Sequence, residues 1–198
     1  MPSPFELLSA IRGDAELHRF LAESAEFNVD RRNRSEGARL SSGAALEEVA
    51  GDFTGGSFFL CGEAGAAARP LLYASSEGAA GVLGPDLSAA LELMIGLPYW
   101  RDCLGFSAGG DLAVMQTAAR LLQEDLLARD PGIEAAQDRA AAALGVARPP
   151  VPELVARLQA AVADAGPDFG YADETGSYGG LFGPFEPSRN PRWRDRLG

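Results

Sequence analysis

The chain is poor in the residue types that most often carry catalysis. Its 198 residues include 17 basic side chains, all of them arginine, and one histidine, His18. The lack of lysine excludes a Schiff-base lysine and the lysine of a phosphate-binding loop. A single histidine excludes a two-histidine zinc site and leaves His18 alone for any Ser-His-Asp triad. We therefore expect no enzymatic activity, no bound metal and no cofactor.

The two cysteines, Cys61 and Cys103, are too few for a zinc ribbon or a disulfide framework. The first residues lack the basic segment and apolar run of a signal peptide, and no stretch approaches 18 uninterrupted apolar residues. We therefore expect a cytoplasmic protein with no membrane contact, in which both thiols stay reduced and are buried as small apolar side chains.

The sharpest local motif is Asp52-Phe53-Thr54-Gly55-Gly56. Glycines at such a point let backbone amides approach an anion, which is one interpretation of the motif. The other is a tight antiparallel turn in which Asp52 accepts hydrogen bonds from backbone N–H groups. Glu77 falls near the end of a second predicted hairpin, where it belongs to an acidic rim.

The run Tyr99-Trp100-Arg101-Asp102 also combines large aromatic rings with charge. An aromatic ring beside an arginine is typical of a binding hot spot. It is equally typical of a corner in which Trp100 plugs the sheet and Arg101 pairs with an acid. From these motifs we select Asp52, Thr54, Glu77, Tyr99 and Trp100 as candidate partner-binding residues.

Charge is distributed unevenly along the chain. Residues 30–39 and 186–198 each hold four arginines and two acids, a net +2 apiece, which leaves −15 for the rest of a chain of net charge −11. Such a surface repels nucleic-acid backbones, so we expect no nucleic-acid binding. It favours a basic protein partner and speeds the encounter with it, although an acidic surface also serves solubility alone.

Periodicity predicts a mixed α+β fold in a single domain, residues 1–198. Short glycine-bearing connections between the apolar runs favour antiparallel hairpins, because a parallel crossover needs a dozen residues or more. Residues 28–43 are polar and rich in arginine and glycine, which predicts a loop or a poorly ordered linker. Four strands are predicted at 46–50, 57–61, 70–75 and 78–83, and helices at 4–24 (split at Gly13-Asp14), 86–96, 109–128, 130–145 and 149–166.

The C-terminal segment 167–198 is rich in glycine, proline and aromatic residues. Its six large aromatic rings are too costly to leave in water, so it is predicted either to wrap across the domain or to contact a partner.

Several of these motifs together resemble the SUKH superfamily of bacterial toxin-immunity proteins and a fungal cell-wall-synthesis regulator. The resemblance rests on Leu46-Glu-Glu-Val-Ala-Gly-Asp52, the strand Phe58-Phe59-Leu60, Pro70-Leu-Leu-Tyr73, Ser76-Glu77-Gly78 and the helix Leu87–Ile95. Leu97–Leu104 and Gly109-Gly110-Asp111-Leu112 look like an actinobacterial branch. The resemblance covers about residues 44–128 and leaves 130–198 as a helical extension with an aromatic tail. It implies a twisted antiparallel sheet of about four or more strands with helices packed against it, used as a protein-binding platform without cofactor or catalytic residues.

The sequence thus leads to a non-enzymatic cytoplasmic protein-binding domain. In its most specific form this is an immunity protein that neutralises a basic toxin or effector through an acidic surface. The alternative is a homo-oligomeric scaffold or regulatory protein that uses its aromatic tail. A ligand-binding or enzymatic loop at Asp52–Gly56 is a third interpretation.

Overall fold

A computed structural model describes residues 2–33, 36–66 and 68–197 of the chain. Arg34 and Ser35, which belong to the predicted loop, lie outside the described residues. The fold is α+β, as predicted.

The helices are α1 (Pro4–Gly13), α2 (Ala15–Ser24), α3 (Leu87–Gly96), α4 (Trp100–Gly105), α5 (Leu112–Arg129), α6 (Ile133–Leu144) and α7 (Val151–Ala163). The strands are β1 (Arg39–Leu40), β2 (Leu46–Gly51), β3 (Ser57–Cys61), β4 (Leu71–Ala74), β5 (Ala80–Gly84), β6 (Tyr171–Asp173) and β7 (Gly176–Ser177).

Capping residues place the starts of the helices. The split predicted at Gly13-Asp14 is confirmed, because Asp14 ends α1 and its carboxylate accepts from the Glu16 and Leu17 amides to begin α2. Asp86 and Asp111 cap α3 and α5 in the same way. The segment 98–104, whose structure the sequence did not specify, forms the short helix α4. No helix in the described ranges is long and apolar enough to cross a lipid bilayer.

The four predicted strands form one antiparallel sheet in the order β2-β3-β4-β5. Consecutive strands are neighbours, which agrees with the short glycine-bearing connections. The register of β2 against β3 shifts between Glu48 and Ala50, so the edge strand bulges there. All five residues of β3 are buried, which shows that both faces of the sheet are covered.

Helices cover one face of this sheet. Phe58, Leu60, Leu71, Tyr73 and Leu83 point to the helical side and join the main core, to which the helices α1–α7 contribute. Helix α7 packs against β5, α3 and α5, and α6 packs against α1, α2 and α3. The helices beyond residue 130 therefore pack directly on the region to which the sequence resemblance was confined.

The C-terminal tail covers the opposite face. Phe59, Leu72 and Tyr171 form a second apolar cluster with Leu40, Cys61 and Ala74. Strand β6 of the tail pairs with β1, where Leu40 faces Tyr171 in the register, and β7 completes a second sheet in the order β1-β6-β7. The loop prediction for 28–43 was therefore wrong at Arg39–Leu40, where a strand forms.

The rest of the tail packs on the helical side. Trp193 is 1% exposed and packs edge-on against Phe106 at a centroid distance of 5.0 Å. Its indole Nε1 donates to Asp125 Oδ2 of α5 at 2.7 Å. Arg196 donates to the other oxygen of Asp125 at 2.7 Å and pairs with Glu124. The tail is thus docked on its own chain, which is the first of the two predicted arrangements.

Candidate functional site

The tight turns β2–β3 and β4–β5 meet at one end of the four-stranded sheet. A Cβ on Gly55 in the first turn would lie 3.4 Å from the Cβ of Ser76 in the second. Three of the candidate residues, Asp52, Thr54 and Glu77, therefore come together at this end. Thr54 and Glu77 are exposed, whereas Asp52 is 1% exposed.

The carboxylate of Asp52 organises the β2–β3 turn. Its Oδ1 accepts from the Thr54 amide (2.8 Å), the Thr54 hydroxyl (2.9 Å) and the Gly56 amide (2.8 Å). Its Oδ2 accepts from the Tyr73 hydroxyl (2.7 Å) and from Nη1 of Arg101 (3.1 Å). Burial and this contact with Asp52 raise the pKa of Tyr73, which therefore stays protonated and donates. Both oxygens of Asp52 are thus satisfied within the chain, as the turn interpretation requires.

The two glycines of the turn serve different purposes. Gly55 has a φ of 102°, a backbone conformation that residues with a Cβ rarely adopt. Gly56 is needed for space, because a Cβ there would lie 2.5 Å from Asp52 Oδ2 and 2.6 Å from the Tyr73 hydroxyl oxygen. The sequence Gly-Gly therefore permits the buried Asp52–Tyr73 contact.

Arg101 of α4 joins the turn to the helices. Its guanidinium pairs with the carboxylates of both Asp52 and Glu26, donates to Thr54 Oγ1 at 3.3 Å and lies 5.4 Å from the centroid of the Tyr73 ring. Partial burial lowers the pKa of Arg101, although a guanidinium remains charged at any ordinary pH. Arg101 thus shares one positive charge between two acids that are distant in sequence.

Glu26 holds an unusual backbone conformation. It follows the C-terminus of α2 with a φ of 58°, in the left-handed region where glycine is usual. The Phe27 amide donates to the Leu21 carbonyl at 2.9 Å, which closes the helix end in the way a glycine normally allows. A residue other than glycine at this position costs free energy. The ion pair of Glu26 with Arg101 offsets part of that cost.

Trp100 and Tyr99, the remaining candidates, lie behind this cluster. Trp100 is 1% exposed; its ring lies 5.1 Å from that of Tyr73, and its Nε1 donates to the Ala25 carbonyl at 3.4 Å. The corner interpretation of this segment is therefore confirmed: Trp100 plugs the sheet and Arg101 pairs with acids. The selection of Trp100 as a partner-binding residue was wrong, because a buried ring cannot touch a partner. Tyr99 is half-buried and donates to Gln123 Oε1 of α5 at 2.8 Å.

Phe53 is the surface residue that sequence reasoning missed. It lies at the tip of the β2–β3 turn, between Asp52 and Thr54, and is 66% exposed. A signal was present in the motif, because the turn geometry directs Asp52 inward and leaves its neighbour outward. Arg101 contacts Glu26 and Thr54, and Phe53 and Glu77 lie on the two turns beside them. We call these five residues the turn patch.

The same turn occurs a second time in the chain. In Asp173-Glu174-Thr175-Gly176, the carboxylate of Asp173 accepts from the Thr175 amide (2.8 Å), the Thr175 hydroxyl (2.6 Å) and the Tyr178 hydroxyl (2.7 Å). These contacts lower the pKa of Asp173, and the contact with Asp173 raises the pKa of Tyr178 to about 12. The Asp-x-Thr-Gly sequence with a nearby tyrosine therefore builds a hairpin turn by itself. What distinguishes the turn at Asp52 is the added pairing with Arg101.

The thiols and the imidazole are placed as the sequence suggested. Cys61 and Cys103 are both free and buried, and burial raises the pKa of Cys61 to about 11 and that of Cys103 still further. The His18 ring is partly exposed and contacts the Asn28 side chain at 3.3 Å. Within the described parts of the chain, no group of three or more His, Cys, Asp or Glu side chains is arranged to hold a metal ion.

Comparison of the chain with models of protein families, with curated protein sequences and with solved structures gives no match.

Proposed function

We propose that the protein is a non-enzymatic, cytoplasmic protein-binding domain that recognises a basic partner through the turn patch. In its most specific form it is an immunity protein that neutralises a basic toxin or effector. The observation that carries the proposal is Phe53: a large aromatic ring, two-thirds exposed, held at the tip of a turn that is fixed by buried hydrogen bonds.

Rigidity makes this ring suited to binding. The turn beneath Phe53 is held by Asp52, whose carboxylate is fully engaged by Thr54, Gly56, Tyr73 and Arg101. Because the turn is already ordered, little conformational freedom is lost when Phe53 contacts a partner. Aromatic rings presented in this way are frequent hot spots of protein interfaces.

Charge around the ring favours a basic partner. Glu26 and Asp52 share the single charge of Arg101, and Glu77 lies exposed on the adjacent turn, so the patch as a whole is acidic. The arginine-rich segment 30–39 borders the β2–β3 turn through Asn33, whose side chain donates to the Asp52 and Gly56 carbonyls, whereas the chain outside the two arginine-rich segments carries −15. Such a field accelerates the approach of a positively charged protein and repels acidic ones.

The chemistry of Asp52 supports a binding role more than a catalytic one. Its contacts recur at Asp173, where the same short sequence builds an ordinary hairpin turn. An acid whose oxygens are all engaged by fixed donors is poorly placed to accept a substrate proton. The resemblance of residues 44–128 to the SUKH superfamily, whose fold serves as a protein-binding platform, points the same way.

The test is capture of a partner from native lysate with tagged protein at low and high salt, followed by mass spectrometry. We expect one basic protein at low salt, released at high salt as the charges are screened. Phe53→Ala should lose this protein. The matched control is Phe185→Ala, because Phe185 is 54% exposed on the tail, away from the turns.

The two phenylalanine variants also separate the competing functions. Retention of the partner by Phe53→Ala would contradict the turn patch as the binding surface. Capture of further copies of this chain, lost in Phe185→Ala and kept in Phe53→Ala, would instead support the homo-oligomeric scaffold that uses the tail.

A further inference from the structure

A cavity of about 630 Å³ lies on the side of the sheet occupied by α1. It is bounded by the first turn of α1, the start of α3, the edge strand β2 and the loop 64–66 that follows β3. Its volume falls within the range of about 300–1,000 Å³ that is common for small-molecule sites. None of the turn-patch residues lines it, so it is a separate feature of the molecule.

One wall of the cavity is apolar. Leu7 and Leu8 of α1, Val49 of β2 and Leu60 of β3 line it, and all four belong to the main core. Phe5 also lines the cavity and is 77% exposed, the most exposed large apolar side chain in the described chain. A ligand resting against the Phe5 ring would remove apolar surface from water, and the four core side chains, 1–7% exposed, form a close-packed apolar floor beneath it.

Three arginines line the same cavity. Arg32 is exposed and donates to the carbonyl oxygens of Val29 (2.7 Å) and Arg31 (2.9 Å). Arg12 also donates to the Val29 carbonyl, and its nearest carboxylate oxygen, on Asp30, is 3.7 Å away. Arg12 and Arg32 therefore line the cavity with guanidinium groups whose donors are only partly used by the described residues.

The third arginine, Arg69, is 7% exposed. It donates to Glu47 Oε2 at 2.5 Å and to the Leu60 carbonyl at 3.3 Å, but its Nε has no hydrogen-bond partner within the described parts of the chain. A buried donor without an acceptor costs free energy, and almost all such groups in folded proteins have a partner. The guanidinium of Arg69 thus has a buried donor, Nε, that the described residues leave unsatisfied.

Each acid around the cavity uses one carboxylate oxygen in the described chain. Glu47 pairs with Arg69, Glu48 accepts from the Asn33 amide at 2.8 Å, and Asp86 caps α3 through the Ala89 amide. The buried polar atom of the site that the described residues leave unsatisfied is a donor, Arg69 Nε. A carboxylate or phosphate is an acceptor that would satisfy it.

We infer that this cavity binds a small amphipathic anion, with its apolar body against Leu7, Leu8 and Phe5 and its carboxylate or phosphate facing the arginines. The inference is independent of the turn patch and of any protein partner. The chemistry required is one apolar chain or ring joined to one anionic head group.

The experiment is calorimetric titration of the full chain with decanoate, decyl phosphate and the neutral decanol. We expect at least one of the two anions to bind with a Kd below about 1 mM, and decanol to bind at least about tenfold more weakly. The anion that binds with the lower Kd, decanoate or decyl phosphate, identifies the preferred head group. No binding by either anion, or equal binding by decanol, would overturn the inference.

Variants locate the site. Arg32→Gln removes an exposed charge without opening the core and should weaken anion binding about tenfold, whereas Arg129→Gln, an exposed arginine at the end of α5, should leave it unchanged. Phe5→Ala should weaken the decyl compounds and leave inorganic phosphate unaffected. Equal losses in Arg32→Gln and Arg129→Gln would show attraction by net charge only and would overturn the assigned site.

Discussion

Asp52 and Asp173 show how one residue type in the same short motif can carry different energetic importance. Both carboxylates accept from a threonine two residues later and from a tyrosine hydroxyl, but among the described residues only that of Asp52 also pairs with a guanidinium, whereas Arg39 reaches the backbone carbonyl of Asp173. Removing Asp52 would leave Arg101 paired with Glu26 alone and would strand the Tyr73 hydroxyl in the core.

We predict that Asp52→Ala lowers the free energy of unfolding by about 3–5 kcal/mol, because it leaves the buried Tyr73 hydroxyl and Gly56 amide without their acceptor, at about 1–3 kcal/mol each, and removes one of the two acids paired with Arg101. Asp173→Ala, the matched control, should cost about 1–3 kcal/mol for its unmade hydrogen bonds. Urea unfolding of both variants and of the parent chain measures the difference. Equal losses would mean that Arg101 adds nothing to the stability of the turn.

For single residues, the sequence predicted those contacts that are made within one turn or one short segment. The role of Asp52 followed from its own turn, and the pairing of Arg101 with an acid followed from its position beside Trp100. Which acid it meets did not follow, because Glu26 and Asp52 lie 75 and 49 residues away. Such partners are decided by packing of α4 against the sheet, which no local pattern encodes.

Among the elements, the helices other than α4 and the four-stranded sheet were predictable, because their apolar residues recur at helical or strand spacing. The second sheet was not, since β1 and β7 have two residues each and show no alternation. The docking of the tail on α5 could not be predicted from the sequence either, because it depends on the contacts of Asp125 with Trp193 and Arg196, which are 68 and 71 residues away.

This docking should depend on pH. The hydrogen bond from Trp193, together with Arg196, lowers the pKa of Asp125 in the folded chain. The unfolded chain therefore holds more protons near pH 4, so the stabilisation is complete above about pH 4 and is lost as the pH falls through the lower, folded pKa.

We predict that Asp125→Asn lowers the free energy of unfolding by about 1 kcal/mol at pH 7. The difference from the parent chain should shrink as the pH falls through the lowered pKa of Asp125 in the folded chain, because the parent then becomes protonated at Asp125 as well. Urea unfolding followed by tryptophan fluorescence measures it, with the exposed Glu134→Gln of α6 as control. A difference that does not vary with pH would contradict this ion pair as the tail anchor.

For the whole molecule, the tail acts as a third layer over the sheet. Phe59 and Leu72 are 4% and 0% exposed only because β1 and β6 cover them. We predict that a chain ending at Ala165 exposes the Phe59 ring and the Leu72 side chain. Its free energy of unfolding should fall by about 1.5–3 kcal/mol for each of the two. It should bind a hydrophobic dye that the full chain does not.

Light scattering of the same truncated chain addresses the scaffold alternative. We expect its mass to stay equal to that of the full chain or to rise through aggregation of the uncovered sheet. A full chain that is oligomeric and a truncated chain that is monomeric would support the tail as an assembly contact instead.

The position of the covering strand also sets the order in which the fold can be completed during synthesis. Strand β5 ends at Gly84, whereas β6 begins at Tyr171. At ordinary translation rates of about 5–20 residues per second, roughly 5–20 seconds separate the two. During that interval the nascent sheet presents Phe59 and Leu72 to the ribosome surface and to chaperones. A premature stop codon between Gly84 and Tyr171 would make that exposure permanent.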